Sequence, residues 1–297
     1  GRAGTGAQTL TQAAAGTVAT AVASVVLAGV ANLAHAQQAP PTAPAVKQLP
    51  QGGVVSRGSA SIVTNTAAAQ LTVNQTSARA VIDWASFNVG SQAKVQFNQP
   101  GASAVVLNQV QGNKASQIYG QISANGQVIL ANPNGIFFSP TASVDVGSLV
   151  ATTGKANADD FMAGQTRFSR DGSTGSVVNQ GQLKAALGGY IALLAPEVRN
   201  QGVVIAQAGT VALATGEAIT LNFNNGSTSL AGLTTTPQAI AALVDNQSAV
   251  LVEGGQIILS AHALASLQGA VVKNSGQLSA SSLSEKGGKI VLMADKI

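Results

Sequence analysis

Short apolar stretches separated by Gly, Asn and Ser run along the chain from about residue 52 onward. Five of them share one pattern, a glycine followed by apolar residues at the third and fifth places, at residues 126–130, 189–193, 209–213, 255–259 and 288–292. Stretches of this length are typical of β-strands, in which every second side chain points to one face. We therefore predict that one face of these strands forms a common core, built from Ile191, Leu193, Val211, Leu213, Ile257, Leu259, Ile290 and Leu292.

The stretches recur at a regular spacing. Gly189 lies 20 residues before Gly209, and Asn179 lies 21 residues before Asn200. This period is typical of a solenoid, in which each strand bonds to the equivalent strand one coil away, about 4.8 Å along the axis. The spacing predicts one all-β solenoid domain over residues 52–297, with about 11 or 12 coils less any insertions, and with Asn side chains stacked in ladders at the corners.

Two segments interrupt the period and are predicted to be short insertions outside the coil stack. In residues 153–176, Asn157 is a good N-cap for a helical turn that ends at Gly164. In residues 223–250, Thr236 followed by Pro237 predicts a short helix over residues 236–243. We expect such insertions to cover an exposed strand edge or the open end of the core.

A sharp turn is predicted at Asn132, Pro133, Asn134 and Gly135, here called the 132–135 turn. Each residue suits its place in a type I turn, because Pro fixes φ near the required value and Gly is favoured at the last position. Apolar strands precede and follow it. Turn geometry alone therefore explains these four residues as a structural corner. The alternative interpretation is that their side chains contact a partner directly.

The amino-terminal part differs in composition. Residues 13–34 are apolar and uncharged, and the run ends in Ala34-His35-Ala36, a pattern of small residues typical of signal-peptidase cleavage. We interpret residues 1–36 as the remnant of a signal peptide; a membrane anchor is the alternative, since the run is about long enough to span a bilayer. Residues 37–51 contain four prolines and are predicted to be an extended linker.

Composition narrows the classes of function. Only 9% of residues are charged and 3% aromatic, and the net charge of +4 is spread without a basic run, which argues against a nucleic-acid partner. No Cys is present and His262 is the only histidine outside the predicted signal segment, so no metal site or cofactor is expected. No set of acid, base or nucleophile stands out, so we predict no catalytic residues and no enzyme.

Three longer segments carry a resemblance: IDWASFNVG at residues 82–90, VQFNQPGASAVVLNQVQG at 95–112, and the stretch 116–153 around NPNG. They resemble the secretion domain of filamentous haemagglutinin-like exoproteins in two-partner secretion, and most of all its high-molecular-weight adhesin branch. The resemblance implies a right-handed parallel β-helix with an amino-terminal cap. It also implies a monomeric domain that is recognised by a cognate outer-membrane TpsB transporter with POTRA domains. Such a chain is exported through the periplasm to the cell surface or the medium.

The family's second signature tetrapeptide coincides with Asn132, Pro133, Asn134 and Gly135, while its first tetrapeptide is absent and Asn98-Gln99-Pro100-Gly101 stands nearest to it. Asp83, Trp84 and Asn98 are further candidate partner contacts, although Trp84 also fits a core position. Contacts with host cells or glycans would belong to a part of the exoprotein beyond this sequence. The alternative functions are a β-helical carbohydrate-active enzyme, or the secretion domain of a haem-binding, cytolytic or contact-dependent toxin exoprotein.

Overall fold

The computed structural model describes residues 42–224, 229–264, 269–280 and 288–294. The part of the chain from Ala43 onward forms one compact unit. The predicted signal segment, with Ala34 and Ala36, lies outside the described residues. Within them, no helix has both the length and the hydropathy needed to cross a membrane.

The described chain is almost entirely β-structure, with a single short helix, α1, at Ala158–Met162. The strands in chain order are β1 Val54–Arg57, β2 Ala60–Asn65, β3 Gln70–Gln75, β4 Arg79–Trp84, β5 Lys94–Asn98, β6 Val105–Val110, β7 Ser116–Ile118, β8 Gln121–Ala124, β9 Gln127–Ala131, β10 Ile136–Phe138, β11 Ser143–Val146, β12 Ser148–Thr152, β13 Arg167–Ser169, β14 Ser176–Asn179, β15 Gln182–Ala185, β16 Tyr190–Leu194, β17 Glu197–Asn200, β18 Val203–Ile205, β19 Thr210–Ala214, β20 Ala218–Phe223, β21 Leu230–Thr236, β22 Ala242–Asn246, β23 Ala249–Leu251, β24 Gln256–Ser260, β25 Ala270–Asn274, β26 Gln277–Ser279 and β27 Lys289–Met293.

Three long sheets run along the stack. Sheet 1 has the order β1-β4-β6-β9-β12-β16-β19-β24-β27, sheet 2 the order β2-β3-β5-β8-β11-β15-β18-β23-β26, and sheet 3 the order β7-β10-β14-β17-β22-β25. From β7 onward each coil contributes one strand to sheet 3, then one to sheet 2, then one to sheet 1, and equivalent strands pair in parallel. The predicted parallel β-helix is confirmed.

Eight strands of sheet 1 follow one another in parallel from β4 to β27, fewer than the 11 or 12 coils that the period gives before the insertions are subtracted. The two insertions contain the residues that further coils would otherwise have used. Leu149 pairs with Ile191 and Thr210 pairs with Gln256, so two coils span about twice the expected length.

The core lies between the three sheets. The predicted core residues Ile191, Leu193, Val211, Leu213, Ile257 and Leu259 are all 0% exposed. Ile290 and Leu292 continue two of these rows in register with Ile257 and Leu259, but they are 45% and 36% exposed. Among the described residues no strand pairs with the other side of β27, so no further coil covers the side chains of Ile290 and Leu292.

A ladder of Asn side chains follows one corner of the stack, as the sequence predicts. Asn179 donates to Asn200 at 2.8 Å, Asn200 donates to Asn246 at 2.7 Å, and Asn246 donates to Asn274 at 2.7 Å. Asn179, Asn200 and Asn246 are fully buried. Each amide therefore satisfies its neighbour, which fixes the register between successive coils.

The first insertion contains the predicted helical turn. Asn157 caps α1 by accepting hydrogen bonds from the backbone N–H groups of Asp159 and Asp160, and Gly164 has a φ of +96°. The second insertion differs from the prediction, since residues 236–243 form no helix. The run of Thr residues in β21 pairs with β20, and β22 and β23 belong to the coil stack. Strand pairing by β-branched residues overrides the local cap signal.

Together with β20, which leads into the second of them, the insertions cover the outward face of sheet 1 rather than an edge or an end of the stack. This face is apolar over several coils, through Val81, Leu107, Ile129, Val150, Ala192, Ala212 and Ile258. The cover consists of α1 and a small antiparallel sheet of β13, β20 and β21. It contributes buried side chains to the same cluster, namely Phe161, Phe168, Ile219, Leu221 and Leu230.

An antiparallel cap closes the amino-terminal end of the core. β1 pairs with β4 and β2 pairs with β3, both antiparallel, whereas β4 and β3 continue into the parallel stack. A Cβ at Gly53 would lie 2.5 Å from a ring carbon of Trp84 and 2.9 Å from Ile62. Glycine at this place therefore lets the cap close directly over the indole. Residues just before β1 also bond to the first coils, as in the bond from the Gly90 N–H to the Gln48 carbonyl at 2.8 Å.

Candidate functional site

The 132–135 turn joins β9 of sheet 1 to β10 of sheet 3. The N–H of Gly135 donates to the carbonyl of Asn132 at 3.0 Å, which confirms the predicted β-turn. Gly135 has a φ of +115°, and a Cβ there would lie 3.1 Å from the Ser176 carbonyl. Any other residue at this place would strain the backbone and crowd the following coil.

Asn132 is the centre of a buried hydrogen-bond network and is 0% exposed. Its side-chain amide donates to the Lys114 carbonyl at 2.9 Å and to Ser116 Oγ at 3.0 Å, both in the preceding coil. Its Oδ1 accepts from the backbone N–H of Asn134 at 3.0 Å. Its own N–H donates to the Thr152 carbonyl in the next coil at 2.9 Å. The residue therefore joins three successive coils.

Pro133 and Asn134 are the parts of the turn that reach the surface. Asn134 is exposed, and its amide donates to the Gly112 carbonyl at 2.8 Å. The carbonyl of Pro133 accepts from Ser173 Oγ at 2.7 Å, so the first insertion also packs against the turn. Any partner of the folded turn would contact mainly these two residues.

Trp84 lies in the core under the cap and is 1% exposed. Its Nε1 donates to Asn108 Oδ1 at 3.0 Å, and its ring meets Phe87 edge to face with centroids 5.4 Å apart. The neighbouring Asp83 accepts from the Gln111 amide at 2.9 Å. Because the indole is enclosed, Trp84 offers no surface for a partner in the folded domain.

Asn98 lies on the outward face of sheet 2 and is exposed. Its amide donates to Asn74 Oδ1 at 2.8 Å and its oxygen accepts from Gln96 at 2.9 Å. Asn98 lies at the end of β5, whereas the 132–135 turn lies at another corner of the stack and Trp84 lies inside the cap. The structure does not bring the candidate contact residues into one site.

Gln99 is a structural residue that the sequence reasoning missed. It is 7% exposed and its amide donates to Gln75 Oε1, the Ala104 carbonyl and the Gln127 carbonyl, each at 3.1 Å. Its backbone also exchanges two bonds with Asn125. Gln99 is followed by Pro100 and Gly101, at the corner where sheet 2 leads into sheet 1. An amide residue directly before Pro-Gly is the sequence signal that could have identified this corner position.

Acidic side chains are dispersed and mostly paired with bases. Asp145 lies 3.3 Å from Lys184, Asp159 3.0 Å from Arg57 and Glu217 2.7 Å from Arg170. A hydrogen bond from Lys155 lowers the pKa of Asp171. A surface depression of about 440 Å³ between Asn98, Asn125 and Asp145 contains that single carboxylate. Within the described ranges, no three His, Cys, Asp or Glu residues group as metal ligands.

Tyr190 is buried and Arg79 is half-buried in sheet 1, under the cover formed by α1, β13, β20 and β21. Tyr190 donates to Gln127 Oε1 at 2.7 Å, and burial raises the pKa of its hydroxyl far above the usual value. Burial also lowers the pKa of Arg79, whose guanidinium lies 5.0 Å from the centre of the Phe161 ring. Arg79 also donates to the Phe161 carbonyl at 3.1 Å, which attaches α1 to β4. This arrangement is structural.

Comparison with known proteins supplies the family. Two proteins described as heme/hemopexin-binding protein of Haemophilus influenzae are similar to this chain. One is 35% identical over 264 residues, which is 84% of this chain and 28% of that protein. The other is 33% identical over 256 residues, which is 79% of this chain and 27% of that protein. The chain thus spans little more than a quarter of the length of these relatives.

Among solved structures, the HMW1 secretion domain from Haemophilus influenzae is similar, with a TM-score of 0.71 and 27% identity. The match covers 82% of this chain and 62% of the other. A family model described as the TPS secretion domain matches residues 46–297, which include every coil described above. The chain therefore belongs to the TPS secretion domain family, the secretion domains of exported proteins in two-partner secretion.

Proposed function

We propose that residues 52–297 form the export module of a large surface exoprotein, recognised by a cognate TpsB transporter through periplasmic POTRA domains. Residues 1–36 would direct the chain to the periplasm and be removed, and residues 37–51 would connect the cleavage site to the first coil. The chain would then reach the cell surface or the medium. The observation that carries this proposal is the match of the secretion-domain family to residues 46–297.

The coil architecture suits export of an unfolded chain. Each strand bonds mainly to its neighbours one coil away, and such near-neighbour contacts allow a solenoid to grow coil by coil. A chain emerging at the surface can therefore fold progressively, one coil upon the next. The free energy of coil formation would then favour forward movement.

Recognition at the 132–135 turn would precede completion of the fold. Strand β9 pairs with β6 on one side and β12 on the other, so it cannot add to a receptor sheet once the stack is closed. Before closure its backbone is free, and an extended apolar strand is suited to β-augmentation. The turn would fix where that strand ends.

Export of residues 37–297 behind a signal peptide tests the proposal. Co-expression with the cognate transporter should give secreted protein, and expression without the transporter should leave the protein in the periplasm. The transporter without its POTRA domains is the matched control for periplasmic recognition. Equal amounts of secreted protein in all three strains would contradict the proposal.

A ligand-capture role for the whole exoprotein is a second candidate, favoured by the heme/hemopexin-binding relative at 35% identity. That protein is matched over only 28% of its length, so the similarity supports the export role more directly than the ligand. We expect the isolated domain to bind neither haem nor hemopexin and to hydrolyse no polysaccharide. A haem-dependent change in absorbance, or turnover above that of a heat-inactivated control, would overturn this expectation.

A further inference from the structure

The outer edge of β2 differs from the other strand edges at the ends of the sheets. β2 pairs with β3 along all six residues, from Ala60 with Gln75 to Asn65 with Gln70. On its other side it pairs with nothing among the described residues, since it is the first strand of sheet 2. Its sequence, ASIVTN, contains no charge and no proline, and Val63 is 55% exposed.

Sheet edges in soluble proteins are normally protected by charge, bulges, short length or a covering segment. The neighbouring β1 is four residues long, has a register shift at Val55 and Arg57, and Arg57 forms an ion pair with Asp159. The first strand of sheet 3, β7, is covered by bonds to Val89. At the other end of the stack, β25 and β27 carry Lys273 and Lys289, and β26 has three residues.

One other long edge is uncharged, that of β21 in the cover. It contains Gly232, pairs with β20 through an irregular register at Phe223, and is followed directly by Pro237. Each of these features weakens a strand edge as a template for pairing. Among the described strands, β2 is therefore the long, regular and unprotected edge.

The backbone groups that face outward on β2 can be assigned. The Thr76 N–H donates to the Ser59 carbonyl at 2.9 Å, which makes these two residues a hydrogen-bonded pair. Such pairs alternate along an antiparallel ladder, so Ser61, Val63 and Asn65 bond to β3. The N–H and C=O groups of Ala60, Ile62 and Thr64 then point to the free edge.

We propose that the free edge of β2 pairs with an extended strand of the cognate transporter's periplasmic part, which makes the folded cap the first docking surface of the domain. This rests on the proposed export function. The strand is about 20 Å long, enough for three outward N–H groups to bond to a partner strand. A six-residue edge buries far less than the roughly 1,200–2,000 Å² of a stable protein interface, so it fits a transient encounter better than a lasting dimer of this chain.

A pair of substitutions isolates the edge. Thr64→Pro removes an outward N–H and no bond to β3, and edge strands tolerate proline at such positions. Thr64→Val keeps the N–H and the β-propensity and is the matched control. With the transporter present, we expect Thr64→Pro to lower the rate of export roughly tenfold relative to Thr64→Val. Val63→Lys, which adds a charge at an exposed position of the edge, should lower export as well without affecting the core.

Crosslinking identifies what occupies the edge. The chain contains no Cys, so Val63→Cys with a photoactivatable thiol reagent reports on one position alone. Thr234→Cys, exposed on the uncharged edge of β21, is the matched control. We expect Val63→Cys to crosslink to the transporter during export and Thr234→Cys not to do so.

The outcomes separate this inference from the export function. If the parent chain is exported by the transporter, equal export of Thr64→Pro, Val63→Lys and Thr64→Val overturns the docking surface alone. A crosslink from Val63→Cys to a second copy of this chain, or no crosslink above that of Thr234→Cys, also overturns it. If the parent chain is not exported by the transporter, the proposed function itself fails.

Discussion

At the scale of single residues, buried amides hold the early corners of the stack. Asn132 and Gln99 each connect neighbouring coils through side-chain bonds to backbone carbonyls, and both are almost fully enclosed. A buried donor or acceptor that loses its partner costs more free energy than the bond itself contributes. These positions are therefore sensitive to substitution even though their side chains do not belong to the apolar core.

Asn132→Ala should lower the free energy of unfolding by about 2–4 kcal/mol, because it leaves the Lys114 carbonyl and the Asn134 N–H without partners. Asn134→Ala removes an exposed amide and should cost less than about 1 kcal/mol. Urea unfolding of the purified domain measures both. Equal effects of the two substitutions would contradict the network described for Asn132.

The chemistry of the turn was readable from the sequence, because Asn, Pro, Asn and Gly each have a position-specific preference. The core position of Trp84, one of the two readings considered, could be decided only by the structure, since burial depends on how β1 and β2 close over it. The position of Gln99 before Pro100 and Gly101 indicates a corner, but its hydrogen-bond partners could not be predicted. Its partners Gln75 and Gln127 lie 24 and 28 residues away, and only the coil geometry brings them together.

At the scale of elements, the Asn ladder fixes the register of sheet 3. Asn200→Ala should destabilise the domain by about 2–4 kcal/mol, because it removes the partner of Asn179 on one side and of Asn246 on the other. Asn274→Ala, at the exposed end of the ladder, removes one partner and should cost about half as much. Thermal or urea unfolding compares the two. A larger loss for Asn274→Ala would contradict the ladder's role.

The cover over sheet 1 should behave as a unit that can loosen without loss of the stack. Phe161→Ala removes a buried aromatic side chain and should cost about 3–5 kcal/mol of local stability. Hydrogen exchange should then increase in α1, β13, β20 and β21, while β16 and β19 remain protected. Asp160→Ala on the exposed side of α1 is the control. Uniform loss of protection throughout the stack would show that cover and coils unfold together.

The elements differed in how well the sequence predicted them. Strands such as β16 and β19 were predicted from short apolar runs that follow a glycine. The burial of their second face could not be predicted, because it depends on the cover that packs over sheet 1. The cap of α1 was predicted from Asn157. The helix expected at residues 236–243 was wrong because a Thr-Pro start signal is local, whereas the pairing of β21 with β20 is set by chain segments that the signal does not include.

At the scale of the whole molecule, the period predicted the solenoid, the resemblance implied its form as a parallel β-helix, and the number of coils follows once the insertions are subtracted. A repeat length describes only regular coils, and two coils here carry the segments that build the cover. The fold in turn limits what the domain can do in its closed state, because β9 is bonded on both edges and Trp84 is enclosed. The recognition that we propose for strand β9 would therefore precede closure of the stack.

We propose that the amino-terminal coils, and the 132–135 turn in particular, serve export beyond their contribution to stability. The most direct measurement is the ratio of secreted to periplasmic protein for Gly135→Val and Asn134→Ile, co-expressed with the transporter, against the unfolding free energy of each purified variant. The control is a substitution in a late coil that lowers stability by a similar amount. Ile257→Ala is a better control than Ile290→Ala, because Ile257 is fully buried whereas Ile290 is 45% exposed. We predict that the turn variants are exported less than late-coil variants of equal stability. A single dependence of export on stability for all variants would contradict the claim and leave the turn as a structural corner.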